Sequence, residues 1–203
     1  MGNLHIYNLI VMIKRKIHLL LLILIGLFTI CFTYSFLCNP SVDSKRVSQA
    51  LEYCKKHNMN TRVIILCDFS KHSGSRRFIV YDTKKKKVIL SSLCEQGKGK
   101  GFSNISGSYC SSLGFYKVCG SHKMRIGLNS RILKGLSSTN SNAQARGILI
   151  HPYYTVSDIP TYPLPTLYKV SKGCFVISPL KYKILDRIIK KNCYKPICLY
   201  AYI

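Results

Sequence analysis

In residues 171–191, SKGCFVISPLKYKILDRIIKK, a turn at Gly173 leads into a strand or the start of a helix. Ser178 followed by Pro179 reads as an N-cap with proline at the first helical position. Leu180, Ile184, Leu185, Ile188 and Ile189 then recur on one helical face, which predicts a helix to about Lys191. Downstream, PICLYAYI (196–203) reads as a closing strand.

Upstream, prolines 152, 160, 163 and 165 stiffen the connection PYYTVSDIPTYPLPTLYKV (152–170) and exclude regular helix from it. It follows GILIH (147–151), a short apolar strand ending in His151. The runs RVIILCDFS (62–70), RRFIVYDT (76–83) and KKVILSSLCE (86–95) predict three strands of a meander, with Lys84–Lys87 at a hairpin turn. SLGFYKV (112–118) and RIGL (125–128) supply further strands, and residues 97–112, dense in Gly, Ser and Asn, a loop. From Asp43 to Asn58, Val47, Ala50, Leu51 and Cys54 repeat with the spacing of an amphipathic helix. Mostly β with two helices, the chain reads as α+β or a small β sandwich.

The 203 residues suit one domain with an appendage. Lys14, Arg15 and Lys16 precede an apolar run from Ile17 to Leu37, which as a helix extends about 31 Å, the thickness of a bilayer's hydrocarbon core. The positive cluster keeps residues 1–16 in the cytoplasm, makes 17–38 a transmembrane or signal-anchor segment, and exports the rest. Thr33-Tyr34-Ser35 offers a small-x-small cleavage site, but the run is long for a signal peptide, and an uncleaved anchor is the preferred reading. Residues 39–60 are then a linker and the amphipathic helix, and 61–203 the main domain.

Net charge is +24, from 31 Lys+Arg against 7 Asp+Glu, and the exported part carries nearly all of it. Such a field attracts polyanions. The basic residues are scattered, without zinc-finger spacing, heptads or RNA-binding signatures, so no nucleic-acid partner is expected; solvated surface lysines or contact with acidic envelope polymers remain. The loop lacks the GxxxxGK[ST] order of a phosphate cradle, and no CxxC pair supports structural zinc, so neither metal nor cofactor is expected. Of ten cysteines, Cys67 and Cys198 occupy apolar strand positions and read as core thiols.

Cys174 is different. Gly173 before it permits a tight turn and close approach of a substrate, and Lys172 favours the thiolate if its side chain turns inward. His151 stands at a strand end, where a rigid scaffold presents functional groups. A thiol needs a base to become a nucleophile, and imidazole is the usual one. On these residues alone, catalysis and incidental packing both stay open.

The order ARGILIHPYYTVS…SKGCFVISPL resembles the catalytic segment of the murein L,D-transpeptidases (YkuD-like), in which a strand-end histidine precedes an S-x-G-C motif. DFS (68–70), GKGKG (97–101), FSNISGSYCSSLGFY (102–116) and NAQARGILIH (142–151) extend the likeness over residues 60–200. The chain departs from the family at Pro152, where glycine is common, at Gln96-Gly97, where His-Gly often stands, and at Val176, where many relatives have arginine.

The resemblance implies a mostly β catalytic domain, a sandwich or barrel, acting on peptidoglycan stem peptides at the cell envelope without a cofactor. It implies Cys174 as nucleophile and His151 as base and then acid. Ser171 would help orient the imidazole, chiefly through its main chain, and the Gly173 and Cys174 amides would face the oxyanion. Asn104, Ser108, Ser111 and Ser112, with Lys172, would meet substrate. Resolution by an amine gives a cross-link; resolution by water gives carboxypeptidase or endopeptidase cleavage, and a catalytically weakened wall-binding protein is the remaining alternative.

Overall fold

The computed structural model describes residues 2–38, 40–124, 127–166 and 170–203. The N-terminal unit is one helix, α1 (Gly2–Cys38), whose span Ile10–Tyr34 has a mean hydropathy of 2.4 and is long and apolar enough to cross a membrane. That span begins ahead of the Lys14–Lys16 cluster.

The second unit, residues 40–203, is built on eight strands: β1 (Val63–Asp68), β2 (Phe78–Asp82), β3 (Lys87–Ser92), β4 (Gly114–Lys123), β5 (Asn129–Gly135), β6 (Leu149–Pro152), β7 (Phe175–Ile177) and β8 (Ile197–Tyr202). They form one sheet in the order β3-β2-β1-β8-β4-β5-β6-β7. The meander β1–β3 is antiparallel, as its spacing predicts. The C-terminal strand enters the middle of the sheet, parallel to β1 and antiparallel to β4. Glu95, just past β3, pairs with Val176 of β7, so the two ends of the sheet meet and the barrel nearly closes.

Every residue of β1 is buried because both faces of this strand are covered, which explains its unbroken apolar run. On one face Ile65, Cys67, Phe78, Tyr116, Leu133, Ile150 and Phe175 join Leu185 and Ile189 of helix α3 (Pro179–Lys191). On the other, Ile64, Leu66 and Cys198 pack against Ala50 and Cys54 of helix α2 (Ser44–Lys56). Cys67 and Cys198 are core thiols, and the eight cysteines beyond α1 are all free. The Asp43 carboxylate caps α2 by accepting from the Lys45 amide, and the Ser178 hydroxyl caps α3 by accepting from that of Lys181.

Three sequence expectations change. Leu180 is exposed and Tyr182 takes its place in the core, since the face of α3 that meets the sheet is rotated from the purely aliphatic one. β5 falls on residues 129–135, just past the expected RIGL strand; of that stretch, Arg125 and Ile126 lie outside the described residues, and Gly127 and Leu128 precede the strand. β4 continues to Lys123 through a register shift between Val118 and Ser121.

Arg131 of β5 donates to the Asp186 carboxylate of α3 through Nε (2.9 Å) and Nη2 (2.5 Å), and Lys190 stands 2.7 Å from the other oxygen. Burial pushes the Asp186 carboxyl up, but Lys190 and Arg131 outweigh it and hold the group below the usual carboxylate range. The folded form thus favours the ionised acid: this stabilisation is complete above the unfolded carboxyl's titration and is lost as pH falls through the lower folded value. Asp186→Asn should cost about 2 kcal/mol in denaturant unfolding near neutral pH, below the about 3–5 kcal/mol of a fully buried pair because both side chains keep some solvent contact.

Candidate active site

β6 and β7 run parallel with Ile150 opposite Phe175, His151 opposite Val176 and Pro152 opposite Ile177. Alternation along the strands sends Ile150, Phe175 and Ile177 into the barrel core and His151 and Val176 to the other face. Carrying the register back one residue sets Cys174 opposite Leu149, on the histidine's face. The sulfur does lie against that strand, 3.7 Å from the Gly147 carbonyl and bonded by the Leu149 backbone amide. The two sequence-predicted residues therefore share one face of one strand pair, two positions apart, about 7 Å along the strands and about 5 Å across them.

His151 is buried, and its Nδ1 lies 3.1 Å from the Pro152 carbonyl. A carbonyl only accepts, so this contact puts the proton on Nδ1 and leaves the Nε2 lone pair available. Pro152 costs the sheet nothing, because β5 pairs with β6 only at Leu149 and Ile150 and demands no amide from residue 152. Val176, the other departure in this strand pair, is buried with Leu93 and Val156.

The cysteine turn is rigid. Ser171 is buried; its hydroxyl donates to the Cys174 carbonyl (2.9 Å) and accepts from the Gly173 amide (3.1 Å), while its own carbonyl accepts from the Lys98 amide (2.8 Å). Gly173 has φ +124°, and a Cβ there would stand 2.7 Å from the Cys110 carbonyl oxygen. Gly97 packs on it so closely that a Cβ at residue 97 would lie 2.8 Å from the Gly173 Cα. The buried Ser111 hydroxyl joins the two segments, accepting from the Gly97 amide (2.9 Å) and donating to the Gly173 carbonyl (3.0 Å).

The other expected substrate residues bond to neighbouring loops and turns. Asn104 donates to the Ser138 carbonyl and the Ser141 hydroxyl and accepts from the Asn142 amide. Ser108 donates to the Ile105 carbonyl, and Ser112 to the Ser103 carbonyl. Lys172 is exposed at the surface of the turn.

Arg146 joins the site, although nothing in its sequence context singled it out. Its half-buried guanidinium donates to the Ser103 (2.8 Å) and Cys110 (2.6 Å) carbonyls and to the Ser112 (2.9 Å) and Ser108 (3.5 Å) hydroxyls. One side chain thus holds the loop 103–112 against the cysteine turn, and its charge acts on the thiol. Burial pushes the Cys174 thiol up; the Leu149 amide, the Ser171 hydroxyl and Arg146 oppose this without cancelling it. Burial likewise lowers the His151 imidazole, against the weaker pull of the Pro152 carbonyl. Both directions favour a neutral thiol and a neutral imidazole over their ions. Arg146→Met should move the pH profile of Cys174 alkylation by iodoacetamide, read by peptide mass, to higher pH, and lower turnover about 10–100-fold by loosening the loop. An unshifted profile would remove Arg146 from the site. Among the described residues, no group of three or more His, Cys, Asp or Glu side chains gathers that could hold a metal ion.

A nearly closed, mostly β barrel thus carries His151 on β6 and Cys174 just ahead of the parallel strand β7. The model of the L,D-transpeptidase catalytic domain matches residues 38–202, and the chain belongs to that family, whose members act on peptidoglycan stem peptides. Similar solved structures include an L,D-transpeptidase from Xylanimonas cellulosilytica (12% identity, 69% of this chain and 60% of that one, TM-score 0.40). Others are the helical cell shape determining protein Pgp2 of Campylobacter jejuni in a K307A form (16%, 76% and 53%, 0.45) and L,D-transpeptidase 1 of Mycobacterium tuberculosis (13%, 68% and 60%, 0.36). The chain spans less than two thirds of the length of each. No curated protein matches it.

Proposed function

We propose that the chain is an envelope L,D-transpeptidase, held at the membrane by α1, that works through a Cys174 acyl-enzyme. The observation that carries this reading is the β6–β7 register, which sets His151 and Cys174 on one face beside a turn kept open by glycine. In the first half-reaction the His151 Nε2 takes the thiol proton as Sγ attacks the carbonyl of the L-centre preceding a D-residue. The C–N bond then breaks, the imidazolium returns its proton to the leaving amine, and a thioester remains. An amine of a second stem peptide attacks that thioester, gives its proton to His151, and displaces the sulfur, which is reprotonated. Water in place of the amine gives carboxypeptidase or endopeptidase cleavage by the same residues. The Cys174 amide is the proposed oxyanion donor, since the Gly173 amide already bonds to Ser171.

The test is stoichiometric acylation by a carbapenem, followed by intact mass. One adduct per chain at Cys174 supports the reading, and an unmodified wild type sinks it in favour of a wall-binding protein whose chemistry has faded. Muropeptide products after incubation with the chain then separate amine from water as acceptor.

A further inference from the structure

One acidic residue brackets the cysteine turn from both ends. Of the chain's seven acidic side chains Glu95 is the most deeply buried, at 1% exposed, although it stands just past β3 rather than within a strand. A buried carboxyl group is costly unless its oxygens are bonded. Here Oε1 accepts from the Val170 amide (2.6 Å) and the Ser171 amide (3.4 Å), the residues that lead into the turn. The main chain of the same residue holds the far side. Its amide donates to the Val176 carbonyl (2.8 Å), and its carbonyl accepts from the Val176 amide (3.1 Å).

Between these anchors the turn is closed on itself. The Ser171 hydroxyl bonds the Cys174 carbonyl and the Gly173 amide, so a shift of Ser171 is carried to the residue that bears the sulfur. Glu95 reaches the site through this turn and not through the imidazole. It opposes Val176, which opposes His151, so two strand spacings of about 4.8 Å, about 10 Å in all, separate the backbones of Glu95 and His151. Its Oε1 is already engaged by the two amides.

We infer that Glu95 is a positioning residue for the nucleophile: its side chain on the entrance of the turn and its main chain on the exit set where the Cys174 sulfur stands relative to His151. This rests on the proposed function, because the alignment of sulfur and ring matters only when the ring takes the sulfur's proton. The role calls for an oxygen at that place and not for a charge, since both donors are neutral amides. Withdrawing the oxygen leaves two amides without this acceptor and frees the entrance of the turn.

The test compares Glu95→Gln, which keeps an oxygen at the Oε1 position, with Glu95→Asp, which keeps the acid but draws the oxygen back by one carbon–carbon bond, about 1.5 Å. Each is read in the full chain in detergent with two reagents for Cys174. A carbapenem needs sulfur, ring and carbonyl aligned, whereas iodoacetamide needs only a sulfur that it can reach. Glu95→Asp should lower the saturating rate of carbapenem acylation about 10–100-fold with the half-saturating concentration little changed, because a displaced nucleophile costs rate more than binding. The same variant should be alkylated severalfold faster, since a loosened turn uncovers the thiol. Glu95→Gln should acylate and alkylate close to the wild-type rates. Glu95→Ala reads the same loss if the aspartate variant lacks a cooperative thermal transition. Acylation and alkylation falling together, as a merely structural role predicts, would overturn the inference. So would unchanged acylation in the aspartate variant, a glutamine variant as slow as the aspartate one, or failure of both the aspartate and the alanine variants to fold. A wild type that the carbapenem never acylates loses the transpeptidase reading; alkylation that speeds up with aspartate and not with glutamine then still assigns the hold on the turn to Glu95.

Discussion

Cys174→Ala is expected to end covalent acylation completely and to lower turnover of stem peptides by a factor on the order of 10⁶, the scale seen when a covalent nucleophile is removed. The fold should survive, because residue 174 lies just ahead of β7 and the substitution leaves the Ser171 and Ser111 bonds that brace the turn in place. Intact mass after carbapenem treatment reads the first effect, and muropeptide turnover the second. Wild-type turnover in the alanine variant would show that another group carries the chemistry. The pH dependence tests the same sulfur independently. Burial holds the thiol above its usual range, so alkylation of Cys174 by a small electrophile should keep rising with pH beyond the point where an ordinary thiol levels off. A flat profile through neutrality would mean a preformed thiolate, contrary to the burial of this turn.

Much of the fold was legible because its strands are short, apolar and separated by strong turn signals. The capped helix after Ser178 and the meander after Arg62 follow from local chemistry alone. β5 was not legible. Its sequence NSRILKG has only two strongly apolar residues, and its burial depends on lying between β4 and β6. The position of β8 in the middle of the sheet was equally hidden, since an apolar run says that a strand is buried but not which strands cover it.

The site divides in the same way. Gly173-Cys174 and the strand-end His151 carry local signals, a residue suited to positive φ beside a thiol and a polar ring on an apolar strand. Arg146 carries none, because one arginine among 31 basic residues is conspicuous only when its guanidinium is seen on four loop acceptors. Pro152, a departure from the family pattern, supplies the carbonyl that faces the imidazole Nδ1. Ser171 and Ser111 act in the structure through hydroxyls that brace the turn, an arrangement that depends on how two distant segments pack.

His151→Gln should lower turnover about 10²–10⁴-fold, the usual contribution of a positioned acid–base group. The loss follows from the resting protonation states. With a neutral thiol, no nucleophile exists until a proton moves, and Nε2 is the acceptor that the Pro152 contact leaves available. Glutamine approximates the buried side chain's length but cannot take that proton, so substrate affinity should change far less than kcat. Acylation by a carbapenem should slow in parallel yet recover in part at alkaline pH, where hydroxide supplies the thiolate that the imidazole no longer makes. In the wild type, burial keeps the imidazole neutral to a lower pH than an ordinary histidine, so the acid limb of kcat/KM should fall below the usual imidazole range. In the proposed mechanism base and nucleophile act as one unit, so His151→Gln combined with Cys174→Ala should be no slower than Cys174→Ala alone. Additive losses in that double variant would mean that His151 acts on some other step, and the proton route from sulfur to ring would have to be abandoned.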